Sequence, residues 1–234
     1  MKCKTTFIRG DVQTVFPDAI FFDLDGTLID SAPDIRACLL DALRENDLFA
    51  ERMDERFEIG PPLDLMIRTM VPGVSEAALV AAVQSFRKRY DQSDYPLTVA
   101  FAGIEDLLFE LSSFGLPLYV ATNKPGFAST RIINKNGWNH FFEAILSPDV
   151  IKGMRLTKAQ MLIRTASDNG YNPKNCMMVG DLRDDIDAAR TAGFFSVAVT
   201  WGYGDKSILL QCGADRVVSC PAEISVIAKG EKDV

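Results

Sequence analysis

The chain has 234 residues, 47% hydrophobic and 24% charged, with 32 acidic side chains against 25 basic ones and a net charge of −7. That length buries a real core in one domain with an insertion, or in two small ones. The acidic balance argues against nucleic acid or an anionic membrane as main partner, and no apolar stretch approaches the roughly 20 residues that span a bilayer. Cys3, Cys38, Cys176, Cys212 and Cys220 are scattered without a C-x-x-C pair. They argue against zinc and against a disulfide framework, and fit a reducing cytoplasm. The only histidine, His140, gives no support for a His-based triad or a His-ligated metal.

Residues 1–18 carry Lys2, Lys4, Arg9 and Asp11 and no apolar h-region, so they read as an N-terminal extension and not a signal peptide. The run from Ala19 to Phe22 then leads into Asp23-Leu24-Asp25-Gly26-Thr27, a buried strand stopped by a turn. Side chains at i and i+2 of a strand share a face, so Asp23 and Asp25 emerge together. Carboxylates held this close call for a cation, a proton-transfer task, or both.

From Ser31 the period changes. Ser31 as cap, Asp34 in the first turn and Ile35, Leu39, Leu40 and Leu43 predict a helix. Gly60-Pro61-Pro62 interrupts, a short helix is predicted over Leu63–Met70, and Ser75 to about Tyr90 gives a third. No strand is predicted between residues 30 and 96. Strand and helix alternate from residue 97 onward: a helix at Leu107, Leu108 and Leu111, and a strand over Leu116–Thr122. A helix over about 126–136 and a strand over Glu143–Leu146 follow. The capping-box sequence Thr157-Lys158-Ala159-Gln160 then opens a helix toward Asn169. Asn175–Gly180 is a strand, a helix with Ile186, Ala189 and Ala192 ends at Gly193, and strands follow at Phe195–Thr200 and Asp215–Val218. The pattern predicts an α/β fold, a Rossmann-like three-layer core around a mostly parallel sheet, with an all-helical insert.

In such sheets ligands bind beyond the carboxyl ends of the strands. Those ends carry Asp23 and Asp25, then Thr122 and Asn123, then Asp181 with Asp184 and Asp185, and Lys158 opens a helix on the same side. Acids, a hydroxyl and an amine on one rim suit phosphoryl transfer. A phosphate approaching several carboxylates needs a divalent cation between them, and Mg2+ suits an oxygen donor set. Thr122 and Lys158 could hold the remaining phosphate oxygens. One aspartate could attack phosphorus, and the other could protonate the leaving oxygen and activate water.

Asp23-Leu24-Asp25-Gly26-Thr27, Ala121-Thr122-Asn123-Lys124-Pro125, Lys158, and Gly180-Asp181 with Asp185 together resemble the four motifs of the haloacid dehalogenase superfamily, in particular its phosphatases with a helical cap. Leu28–Ile35 and Trp201-Gly202-Tyr203-Gly204 are similar to its phosphoglycolate phosphatase-like members. The resemblance runs from about residue 19 to 227 and implies a core of residues 19–29 and 97–234 with a helical cap domain over 30–96. It implies Asp23 as nucleophile and metal ligand, and Asp25 as general acid/base with its carbonyl on the metal. It further implies Thr122 and Asn123 on the phosphate, Lys158 neutralising phosphate and nucleophile, Asp181 on the metal, and Asp185 supporting the metal site. Lys152 competes with Lys158, and the capping box favours Lys158; Asp184 competes with Asp185, and the register through Ile186-Asp187-Ala188-Ala189 favours Asp185.

The activity implied is a Mg2+-dependent phosphatase acting through an aspartyl-phosphate on a small phosphorylated metabolite, in the cytoplasm, with no nucleic acid or membrane partner. A β-phosphoglucomutase-like phosphomutase and a nucleotidase or pyrophosphatase stay open, as does a non-catalytic regulatory module. Asp25 disfavours a dehalogenase of the family. A phosphonoacetaldehyde hydrolase would need a cap lysine, and residues 30–96 offer only Lys88.

Overall fold

A computed structural model describes residues 6–7, 16–49, 57, 59–150 and 154–230. Its described residues form two compact units, one from residues up to Asp30 and from Ala100 onward, the other from Ser31–Val99. The larger unit is built on a seven-stranded sheet. In chain order its strands are β1 (Thr6–Phe7), β2 (Ala19–Phe22), β5 (Leu118–Ala121), β6 (Ala144–Leu146), β7 (Cys176–Gly180), β8 (Phe195–Val199) and β9 (Arg216–Val218). They lie in the order β1-β9-β8-β7-β2-β5-β6, all parallel except β1, which pairs antiparallel with β9. Thr6 and Phe7 thus form an edge strand inside the stretch expected to be only an extension; two residues are too few to carry a period-2 signal. β3 (Ile29–Asp30) and β4 (Val99–Ala100) form a separate two-stranded ribbon where the chain leaves this unit and returns.

β2 sits between β5 and β7, with Phe22 in register with Val120 on one side and Val179 on the other. Every residue of β2, β5 and β7 is buried, as expected of a parallel sheet covered on both faces, whose strands read as unbroken apolar runs. Phe21 stacks on Tyr119 with ring centroids 4.8 Å apart and leans on Phe194 at 5.1 Å. Leu162 and Ala166 of α6 (Lys158–Asn169) and Ala188, Ala189 and Ala192 of α7 (Arg183–Ala192) close over that face. Burial of each large side chain is worth about 1.5–3 kcal/mol. α4 (Ile104–Ser113) packs on α9 (Pro221–Ala228), α5 (Gly126–Lys135) follows β5, and α8 (Lys206–Gln211) puts Leu209 against Ile186, Ala198 and Val217.

The smaller unit holds α1 (Ala32–Glu45), α2 (Leu63–Met70) and α3 (Glu76–Gln92) around Leu39, Leu43, Ile67, Met70, Leu79 and Ala82. Ser75 caps α3 as its position predicts, accepting from Ala78 N–H. Ser31 stands at the N-cap of α1 but its side chain makes no cap bond. Asp34, one turn in, instead accepts from Leu97 N–H at 3.0 Å and Thr98 Oγ1 at 2.7 Å, tying the first helix to the last residues of this unit.

Cys38, Cys176 and Cys212 carry free thiols. Cys220 is disulfide-bonded, which departs from the expectation drawn from cysteine spacing. Among the described residues no helix is long and apolar enough to cross a membrane.

Candidate active site

The parallel sheet delivers its chemistry where β2, β5 and β7 end. Asp23 follows β2 directly and is anchored by its N–H on Val179 O at 2.9 Å. The chain then turns tightly: Leu28 and Ile29 N–H both return to Leu24 O, and Gly26 takes a positive φ of 88°. A left-handed backbone suits glycine, and here glycine is required for a second reason. A Cβ on Gly26 would stand 2.2 Å from Asp181 Oδ2.

Asp181 caps β7 and is fully buried. Thr27 Oγ1 donates to its Oδ1 at 3.1 Å, and Tyr203 N–H donates to its Oδ2 at 2.8 Å. Trp201 Nε1 reaches Thr27 O at 3.0 Å and Tyr203 Oη reaches Asp30 Oδ1 at 2.9 Å, so the loop after β8 grips the Asp23–Asp30 turn along its length. Asp185 enters from the start of α7, where it occupies the third helical position and accepts Leu182 N–H at 2.9 Å. The positive end of the helix dipole favours a carboxylate there.

Lys158 comes from the first turn of α6, set by the predicted capping box: Gln160 N–H to Thr157 Oγ1 at 3.2 Å and Thr157 N–H to Gln160 Oε1 at 2.9 Å. Its ammonium donates to Asp23 Oδ1 at 2.8 Å and also to Asp185 Oδ1. Lys152, its rival by sequence, lies outside the described residues.

Asp23, Asp181 and Asp185 each offer an oxygen, and the three oxygens lie within 4.8 Å of one another. Among the described residues, one ammonium is bonded within these three buried carboxylates, an imbalance that is costly away from water. Burial pushes Asp181 up to about 7, with Asp185 adding and the Tyr203 N–H, Thr27 and Lys158 opposing. Burial likewise raises Asp23 well above the usual carboxylate range, against Lys158 and with Asp185 and Asp181. Burial works against the charge on Lys158, but Asp185 and Asp23 outweigh it and raise its affinity for its proton. An all-oxygen donor set with surplus negative charge fits a hard divalent cation.

The remaining predicted residues divide. Thr122 is buried at the end of β5, and its hydroxyl oxygen accepts Lys124 N–H at 3.1 Å, so its own proton is left to donate elsewhere. Asn123 faces outward and donates to Asp184 Oδ2 at 2.9 Å. Asp184 therefore lies outside the buried triad, and Asp185 lies in it. Asp25 stands apart from that triad: both of its oxygens take hydrogen bonds from Lys124 Nζ, at 2.9 and 3.0 Å. Lys124 and Tyr203 are the residues sequence reasoning passed over. Lys124 stood in the quoted Thr122–Pro125 stretch, but no local pattern pairs it with a residue 99 positions away.

A family model described as haloacid dehalogenase-like hydrolase matches residues 20–199. A phosphoglycolate phosphatase of Xanthomonas campestris pv. campestris is 33% identical over 212 residues, covering 89% of this chain and 95% of that protein. The tyrosine-protein kinase PtkA of Mycobacterium tuberculosis is 34% identical over 189 residues, 80% of this chain and 64% of that one. A solved haloacid dehalogenase-like hydrolase from Streptococcus pneumoniae superposes with a TM-score of 0.79 at 30% identity, over 89% of this chain and 96% of that one. Motif order, sheet topology and these likenesses agree: the chain belongs to the haloacid dehalogenase-like hydrolases and is a phosphatase of that family, similar to its phosphoglycolate phosphatases.

Proposed function

We propose that this phosphatase hydrolyses a small phosphomonoester, with phosphoglycolate as first candidate, using Mg2+ and an aspartyl-phosphate on Asp23. The observation that carries the reading is Lys158 bonded to Asp23 and Asp185 while Asp181 completes a three-carboxylate cluster. Asp23, Asp181 and Asp185 would hold the cation, which when bound offsets the charge that substrate phosphate brings to them.

Lys158 fixes Asp23 by one oxygen, which leaves the other to attack phosphorus. A bond forms from Asp23 to phosphorus as the bond to the leaving oxygen breaks, and Asp25 gives that oxygen its proton. Asp25 then takes a proton from water; the hydroxide attacks phosphorus, the Asp23 ester bond breaks and inorganic phosphate departs. Thr122, its hydroxyl oxygen already occupied by Lys124 N–H, has its proton to donate to the phosphate. Lys158 offsets the charge that builds on the transferring group.

The test is phosphate release from p-nitrophenyl phosphate and from phosphoglycolate, with Mg2+ and with EDTA, for wild type and Asp23→Asn. Metal-dependent release abolished by Asp23→Asn is expected. Release unaffected by either change would overturn the reading. On a sugar phosphate, free phosphate is expected, and isomerised product would favour a phosphomutase.

A further inference from the structure

We propose that Lys124 is a positioning residue of this reaction, tying the phosphate-binding hydroxyl to the acid/base. The inference rests on the roles given above to Thr122 and Asp25. Lys124 is only 7% exposed. Its backbone N–H donates to Thr122 Oγ1 at 3.1 Å, which turns the hydroxyl proton away from its own loop. Its ammonium donates to both oxygens of Asp25, at 2.9 and 3.0 Å. One residue thus touches both groups that must meet opposite ends of the bond being broken.

Geometry explains why such a tether is needed. Asp25 lies beyond the strand, in the turn that Gly26 makes possible, and its carboxylate is not one of the three that cluster at Asp23, Asp181 and Asp185 but is held by Lys124. An acid on a turn must be held within hydrogen-bond reach of the leaving oxygen to be useful. Lys124 holds it to the loop that carries Thr122. A second reading, that Lys124 only neutralises a partly buried acid, makes a different prediction about leaving groups.

The experiment compares kcat/KM, which reads the steps up to aspartyl-phosphate formation and not the later attack of water, on p-nitrophenyl phosphate, whose phenolate departs without needing a proton, and on an aliphatic phosphate ester turned over by the wild type, phosphoglycolate first. Lys124→Met is expected to lower the aliphatic rate by about 100-fold or more and the p-nitrophenyl rate by less than about tenfold, the span of general acid catalysis. Asp25→Asn should show the same asymmetry, and the double variant should be no slower on the aliphatic ester than Asp25→Asn alone. Lys124→Arg, which keeps the charge, should recover most of the aliphatic rate and guards against a folding artefact. Equal losses on both substrates, or a double variant slower than Asp25→Asn, would overturn the proposal. Asp23→Asn run alongside separates the two levels: if it retains turnover, the covalent reading itself fails, whatever Lys124 does.

Discussion

The backbone N–H of Tyr203 donates to the carboxylate of Asp181 at 2.8 Å, and that contact is possible because glycines flank Tyr203 on both sides. A Cβ on Gly202 would stand 2.2 Å from Gly26 O and 2.5 Å from Asp181 Cβ. One on Gly204 would stand 1.9 Å from Asp181 O. Both obstacles include backbone, which cannot rotate aside as a flexible side chain can.

Gly204→Ala and Gly202→Ala should therefore displace Asp181 and lower turnover by about 100-fold, the usual cost of a misplacement near 1 Å. Stabilisation by Mg2+ in a thermal melt should shrink with it. Gly73→Ala is the control: its φ is +79° but a Cβ there meets nothing within 4 Å. It should cost about 1–2 kcal/mol in backbone strain and leave the Mg2+ response intact.

Burial lifts Asp181 to about 7 and raises Asp23 in the same direction. The folded, metal-free chain then binds more protons than the unfolded chain between about pH 4 and about pH 7. Stability must fall as pH rises through that window, because ionising these acids is harder in the fold than out of it. Melting temperature in EDTA should drop from about pH 4 to about pH 7, and Mg2+ should restore more at the upper end. Asp181→Asn should flatten the slope. A slope unchanged by that substitution would place the titration elsewhere.

These relationships show what the sequence could and could not carry. The rim of Asp23, Thr122, Lys158 and Asp181 was legible because each residue ends a strand or opens a helix with its own local signature. The capping box at Thr157 and Gln160 even fixed the start of α6. Asn123 follows Thr122 in sequence, but one step past a strand end reverses the side chain, and it meets Asp184, a contact the sequence does not signal. The partners of Asp25 and Asp181 were illegible for another reason. Lys124 reaches its acid through tertiary folding alone, and Tyr203 acts by a backbone N–H, a group every residue but proline possesses.

Among the described residues, Lys158 is the lone ammonium within the triad's hydrogen bonds, and it is buried. Lys158→Met removes it while three carboxylates stay behind, and breaking a buried pair in this way costs about 3–5 kcal/mol. Urea unfolding in EDTA at neutral pH should show that loss, and the loss should shrink in mild acid as Asp181 and Asp23, both raised by burial, take up protons. Turnover should vanish at either pH. An equal loss of stability at both would mean that packing of the lysine stem, and not its charge, supports the fold.

Asp184 and Asp185 are neighbours in sequence with opposite surroundings. Asp185 is fully buried, bonded to Lys158 and to Leu182 N–H, and one oxygen of it lies in the triad. Asp184 bonds the exposed amide of Asn123. Asp185→Asn should therefore weaken Mg2+ binding by about 10–100-fold, the range seen when a group supporting a metal site is lost. Asp184→Asn, an exposed exchange, should stay within about 0.5 kcal/mol in stability and leave Mg2+ affinity unchanged. Titrating activity with Mg2+ at fixed substrate reads both variants against the wild type. The reverse ranking would move the metal's third carboxylate to Asp184 and require α7 to begin with a different face toward the site.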